Sequence, residues 1–296
     1  MDSALTTVLL PLALAVVMLG LGLSLTVDDF RRIGRQPRAV VIALAVQLLV
    51  LPAACFGLVI AFDLSPVLAV GMLLLAASPG GTTANLFSHL FRGDVALNIT
   101  LTAVNSVIAV VTLPIVTNLA FAYFEPDLDG TVGLQFGKTV QVFAIVLIPV
   151  AIGMSVRARN AAFADRMDRP VRALSVVVLA AVIAGTIVAE RENVADYLAD
   201  VGLVALTFCL LSLTLGYAVP RLLAVEPRQA LACSMEIGVH NGTLAIAIAV
   251  SVLDSVTLAV PAAVYSLIMF PAAAVVGFAI SKVVHREEPA LSPEPR

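Results

Sequence analysis

The sequence predicts an all-α integral membrane protein with nine transmembrane helices, on three observations. Of 296 residues, 60% are hydrophobic and only 12% charged, with a mean hydropathy of +1.05, whereas soluble domains carry about 25% charged residues. Apolar runs that match the ~30 Å hydrocarbon core, about 20 residues each, recur along almost the whole chain. The basic residues fall on alternate connections between those runs. No segment remains for a separate soluble domain, and no nucleic-acid partner is expected. The expected partner is the lipid bilayer, with no obligatory protein partner inferred.

Spans are expected at 5–26, 39–61, 66–91, 95–124, 133–155, 172–189, 199–222, 229–252 and 257–281. The opening "MDSALTTVLL" has neither a basic n-region nor a small-residue cleavage site, so it reads as a first span and not as a signal peptide. "DDFRRIGRQPR" follows with Arg31, Arg32, Arg35 and Arg38. Arg92 follows the third span and Arg157, Arg159, Arg166, Arg169 and Arg172 follow the fifth. Arg221 and Arg228 come after the seventh, and Lys282, Arg286 and Arg296 after the ninth. Fifteen of the 17 basic residues thus share one side, leaving Lys138 and Arg191 opposite. The positive-inside rule places the amino terminus outside and the carboxyl terminus in the cytoplasm of a cell (inner) membrane protein. The tail 282–296, rich in Pro and Glu, is expected to be disordered. Cys55, Cys209 and Cys233 all lie in apolar spans and form neither a disulfide framework nor a metal cluster.

Two spans are interrupted. The third carries Pro79, Gly80 and Gly81, and the eighth carries the turn pair Asn241-Gly242. Backbone freed at membrane depth survives only where protein or an aqueous cavity satisfies it. The breaks lie five spans apart, an odd number, so spans 1–4 and 6–9 would run in opposite senses. Matching breaks in inverted halves point to a secondary transporter whose site lies where the broken helices meet.

Polar side chains cluster around those breaks. Span two has Gln47, span three Asn85, span four Asn98, Thr102, Asn105 and Ser106, and span eight Glu236, His240 and Asn241. Asn98 and Thr102 are four residues apart and share a helix face. The set is oxygen-rich with one carboxylate, the donor chemistry of a hard monovalent cation. A cation would neutralise Glu236 and remove most of the cost of burying it. Taken singly, Asn, Gln and His also serve as ordinary interhelical hydrogen-bonders. A carboxylate at mid-membrane has few structural uses.

Three segments carry a family resemblance. "SPGGTTANLFSHLFRGDVALNITLT" resembles the "PGGT-A-SN…GDVALS…T" hallmark of the bile acid:sodium symporter (BASS) family. "EIGVHNGTLAIAIA" resembles its "E-x-G-x-QN-x-x-LA" stretch, and "MLGLGLSLTVDDF" its early "F-G-L-T-L" segment. The resemblance implies an inverted-repeat fold with a core of spans two, three, four, seven, eight and nine (39–124 and 199–281). A panel of spans one, five and six (5–26, 133–155, 172–189) would face it, as in nine-span bacterial members. Its first sodium site would fall on Asn85, Asn98, Thr102 and Glu236, with Ala84 where the family shows Ser. The second would fall on Gln47, Glu236, Ile237, Val239 and His240, where Ile237 and Val239 offer only backbone carbonyls. Thr82 and Asn241 match positions near the substrate. Two departures bear on these sites: Asn98 stands for a Ser and keeps an oxygen, whereas His240 stands for a Gln and offers a nitrogen, a poor ligand for Na+.

The expected function is therefore Na+-coupled symport, by alternating access, of an organic anion bearing a carboxylate or sulfonate, bile-acid-like or smaller. Na+ is the coupling ion and no organic cofactor is expected. Two alternatives stay open: proton-responsive coupling through His240 with a single Na+, and, outside transport, a passive channel or receptor. An enzyme is not expected, because hydrolysis needs a nucleophile–base pair or a second acid, and neither is present.

Overall fold

A computed structural model describes residues 31–126, 136–167 and 194–287, with single positions between 15 and 28 and between 170 and 177. All regular elements among the described residues are helical; the one extended pairing is an isolated antiparallel bridge between Gly80 and His240. Most of the expected spans 5–26 and 172–189 lies outside the described residues.

Helix α1, Pro37–Ala61, starts at a proline, which tolerates the first helical turn because its missing N–H would have no partner there. It widens into a π-type turn over Val46–Val50 just ahead of Pro52, whose ring would clash with the carbonyl four residues back. Gln47 sits inside this turn. The expected third span is two helices, α2 (Pro66–Ala76) and α3 (Thr82–Leu90), separated by residues 77–81. Helix α4, Val95–Phe124, begins at Asp94, whose side chain accepts from the Leu97 N–H as an N-cap. After α5 (Phe136–Arg159) and α6 (Val194–Leu222), the expected eighth span also divides, into α7 (Pro227–Gly238) and α8 (Gly242–Ser251). The last helix, α9, runs Val260–Glu287.

Four helical stretches among the described residues are long and apolar enough to cross a membrane: Pro37–Ala61, Val95–Phe124, Ala199–Leu222 and Thr257–Val284. The broken helices are short, and each gains its stability from its neighbours. Helix α7 is buried from Ala230 to Gly238 between α6, α3, α4 and α9, and α2 packs on α1, α4 and α9. One expectation needs correction. The ninth helix was expected to end at 281 and the following tail to be disordered, but the helix continues to Glu287. Ser-Lys-Val-Val-His-Arg-Glu contains no breaker, and the Lys282 ammonium lies over the Phe278 ring, four residues earlier, at 4.3 Å.

The two breaks meet. Gly81 N–H donates to the Val239 carbonyl at 2.9 Å, and Asn241 N–H donates to the Pro79 carbonyl at 2.8 Å. Each interruption thus satisfies the backbone of the other. Such close approach requires a glycine at position 80, because a Cβ there would overlap the Glu236 carboxyl group. Gly80→Ala is expected to destabilise the protein by roughly 1–3 kcal/mol, the usual cost of overpacking a filled site. A melting temperature equal to wild type in detergent would show that the crossing can widen without cost.

Candidate functional site

The crossing draws polar side chains from four elements around one carboxylate. Glu236, near the end of α7, is 2% exposed. Its Oε2 accepts from the Thr102 hydroxyl of α4 at 2.5 Å, while Oε1 has no hydrogen-bond partner. Thr102 Oγ1 also lies 3.1 Å from the Asn98 carbonyl one turn back. A hydroxyl has one proton, and the shorter contact is in the range of charge-assisted O–H···O bonds.

Asn98 is fully buried and spends both amide hydrogens, on Ser88 Oγ of α3 at 2.9 Å and on the Ala232 carbonyl of α7 at 2.8 Å. Its Oδ1 is left without a partner. Gln47 behaves alike: Nε2 donates to the Ser78 carbonyl at 3.1 Å and lies 3.5 Å from that of Ala76. Carbonyls only accept, so the amide must point its nitrogen at them, and Oε1 is the atom left unpartnered. Asn85 Oδ1 is a further buried oxygen with no partner.

His240 is 1% exposed, with Nδ1 3.2 Å from the same Ser78 carbonyl that Gln47 uses. Because that oxygen cannot donate, Nδ1 carries the proton and Nε2 presents a bare lone pair, also unpartnered. The imidazole stacks on Phe208 (centroids 5.6 Å, 16°) and meets the edge of Tyr265 at 5.4 Å.

The backbone ligands and the substrate-site residues are placed less simply. Ile237 and Val239 bury their side chains completely. Helix α7 continues through Gly238, so the Ile237 carbonyl belongs to its last turn and not to an unwound segment. The Val239 carbonyl already accepts from Gly81, which leaves it one lone pair. Asn241 is the N-cap of α8, its Oδ1 accepting from Leu244 N–H at 3.0 Å, so what it offers a ligand is its amide nitrogen. Thr82 opens α3, but its side chain lies outside the described residues.

Three contributors escaped the sequence reading. Ser88 holds Asn98, the Ser78 carbonyl receives both Gln47 and His240, and the Tyr265 hydroxyl donates to the Gly238 carbonyl at 2.8 Å. For Ser88 a signal did exist, a serine one helical turn after Ala84 and three residues after Asn85, and so on their face of the helix.

The comparisons with known proteins bear on this arrangement. Residues 11–197 match the model of the sodium bile acid symporter family. The chain belongs to that family. An uncharacterized sodium-dependent transporter of Bacillus subtilis, YocS, is 30% identical over 86% of this chain and 77% of its own length. A probable sodium/metabolite cotransporter of Arabidopsis thaliana chloroplasts, BASS1, is 29% identical over 86% of this chain and 62% of its own. Human sodium/bile acid cotransporter 4 is 29% identical over 80% and 54%. The chain thus spans little more than half the length of several of these relatives. Membership of the sodium bile acid symporter family makes it a multi-pass membrane protein of a sodium-dependent transporter family, and not an enzyme.

Replacing Thr102 by Val keeps the shape and removes the one hydroxyl that donates to Glu236. The expected loss is on the order of 1–3 kcal/mol of stability, the cost of leaving a buried acceptor unmatched. Parallel thermal unfolding of the variant and Thr102→Ser, which keeps the donor, separates this loss from a packing effect.

Proposed function

We propose that the protein couples Na+ to symport of an organic anion by alternating access, with the coupling cation bound behind the crossing of the two broken helices. One observation carries this reading: the unpartnered buried oxygens of Gln47, Asn85, Asn98 and Glu236 gather at elements that meet at the crossing. Native proteins leave few such atoms unmatched, and a group of them calls for a ligand. Carboxylate and carboxamide oxygens are the donors a hard cation takes. Asn85, Asn98, Thr102 and Glu236 would hold one Na+. Gln47, Glu236, His240 and the carbonyls of Ile237 and Val239 would form a second position.

The anionic solute would dock at the amino ends of α3 and α8, where free N–H groups and the helix dipoles favour negative charge. Thr82 and Asn241 stand at those ends, and the amide nitrogen of Asn241 suits a carboxylate or sulfonate. The fold would comprise nine spans in an inverted repeat, a core (39–124 and 199–281) rocking against a panel, with the amino terminus outside the inner membrane. The reciprocal hydrogen bonds between Pro79–Gly81 and Val239–Asn241 support that symmetry, since a two-fold axis through the crossing would generate one from the other.

The first test needs no known substrate. Na+ should raise the melting temperature of the purified protein where K+ does not, and Glu236→Ala should abolish the effect. Stabilisation that persists unchanged in that variant would defeat the assignment. A screen of organic anions with and without Na+ then seeks the solute, and counterflow of a labelled hit into liposomes separates a carrier from a channel or receptor.

A second reading concerns stoichiometry, and the bare Nε2 of His240 favours it. A nitrogen lone pair in place of an amide oxygen suits a proton better than Na+, so one Na+ would move per cycle with a pH-responsive histidine in the second position. His240→Gln should then raise the stoichiometry and flatten the pH dependence of uptake between about 5.5 and 8, on either side of an ordinary imidazole's range. Two Na+ per cycle in the wild type, without pH dependence, would rule this reading out.

A further inference from the structure

The geometry points to Ser88 as a positioning residue for the first cation site, acting through Asn98; this rests on the cation-site reading proposed above. A carboxamide has two N–H donors and one acceptor oxygen, and its terminal torsion is broad, so a single hydrogen bond leaves it free to swing. Asn98 makes two bonds at once. The Ala232 carbonyl of α7, which only accepts, determines which end of the amide is nitrogen, and Ser88 Oγ of α3 takes the second hydrogen. With both donors spent, Oδ1 is held in one direction, buried and unpartnered.

Ser88 and Asn98 are each 0% exposed, so no water competes for the bond. Ser88 also explains how α3 serves the site without a hydroxyl at position 84. Ala84 is completely buried and offers no side-chain oxygen. Four residues on, and so on the same helix face, Ser88 supplies a hydroxyl whose oxygen accepts from the Asn98 amide. It aims the longer Asn98 side chain instead.

The test is the Na+ concentration that gives half-maximal thermal stabilisation of the full-length protein, with choline replacing Na+ at constant ionic strength. Ser88→Ala should raise that midpoint on the order of tenfold, as expected for one misdirected ligand, while the plateau at saturating Na+ is kept. In an Asn98→Ser background, where the shorter side chain cannot reach, Ser88→Ala should cause no further shift, because coupled residues do not add. A wild-type midpoint in Ser88→Ala, or shifts that add fully in the double variant, would overturn the role. If Ser88→Ala does not yield folded protein, Ser88→Cys reads the same quantity, filling the site with a slightly larger atom that is a far weaker acceptor. Glu236→Ala run alongside distinguishes the two levels. Stabilisation surviving that change would remove the cation site itself, whereas stabilisation lost there but unaltered in Ser88→Ala would remove only the role of Ser88.

Discussion

The structure depends on a constraint that the bilayer imposes on backbone. In hydrocarbon there is no water to satisfy an N–H or C=O released from a helix, and each unsatisfied group costs several kcal/mol. The chain nevertheless breaks between α2 and α3 and between α7 and α8, and each break satisfies backbone groups of the other. Gly81 N–H pairs with the Val239 carbonyl, and Asn241 N–H with that of Pro79. Neither break would be stable alone. Once they are paired, α2, α3, α7 and α8 cannot slide independently. The side chains on the flanking turns are then brought to one place: Gln47 and His240 through the Ser78 carbonyl, and Asn98 and Thr102 through Ala232 and Glu236.

What gathers there is under-satisfied in its oxygens, Gln47, Asn85, Asn98 and Glu236 each having one without a partner. Every nitrogen donor of Gln47 and Asn98 with a partner points at a backbone carbonyl or at Ser88, so the oxygens face elsewhere. A packing role alone would have paired those oxygens with donors, since a buried unmatched acceptor costs about 1–3 kcal/mol. Thr117 Oγ1 and Ser251 Oγ are also unpartnered, but they lie apart from the crossing, 15 residues along α4 from Thr102 and at the opposite end of α8 from Asn241. The distinguishing feature is concentration around a carboxylate, which supports a ligand of positive charge.

Much of this was legible in the sequence, because a membrane writes its demands in composition. Long apolar runs mark candidate spans, and Pro79-Gly80-Gly81 and Asn241-Gly242 mark the two places where, among the described residues, the expected third and eighth spans divide into paired helices. The polar set around Glu236 stood out for the same reason, each member being costly in lipid. Its division into two cation positions came from family resemblance and not from spacing. Other features were illegible because they join residues far apart in the chain. Asn98 and Ala232 are separated by 134 positions, and nothing local to either reveals that the amide is held. The Tyr265 hydroxyl on the Gly238 carbonyl is equally silent in the sequence. The extra turns of α9 were missed because a charged tail with helix-forming residues looks like solvent-exposed chain.

The same contacts bear on coupling. A ligand shifts a conformational equilibrium only by its difference in affinity between the states. A cation held by Asn98 and Glu236 would touch side chains on α4 and α7, two helices already joined by the Thr102–Glu236 and Asn98–Ala232 bonds, with Asn98 also bonded to Ser88 of α3. Binding would therefore pull on Thr102 Oγ1, the Ala232 carbonyl and Ser88 together, and any motion parting α4 from α7 would cost the cation two ligands at once. His240 is different. Its Nδ1 is committed to Ser78, within the break of the first broken helix, and its ring is wedged between Phe208 and Tyr265 on α6 and α9. Changes in charge at that ring would act on the crossing itself, whereas a cation at Glu236 acts on the packing of α4 beside it. The two proposed positions would thus address different joints of one assembly: the packing of α4 on α7 and the crossing of the broken helices.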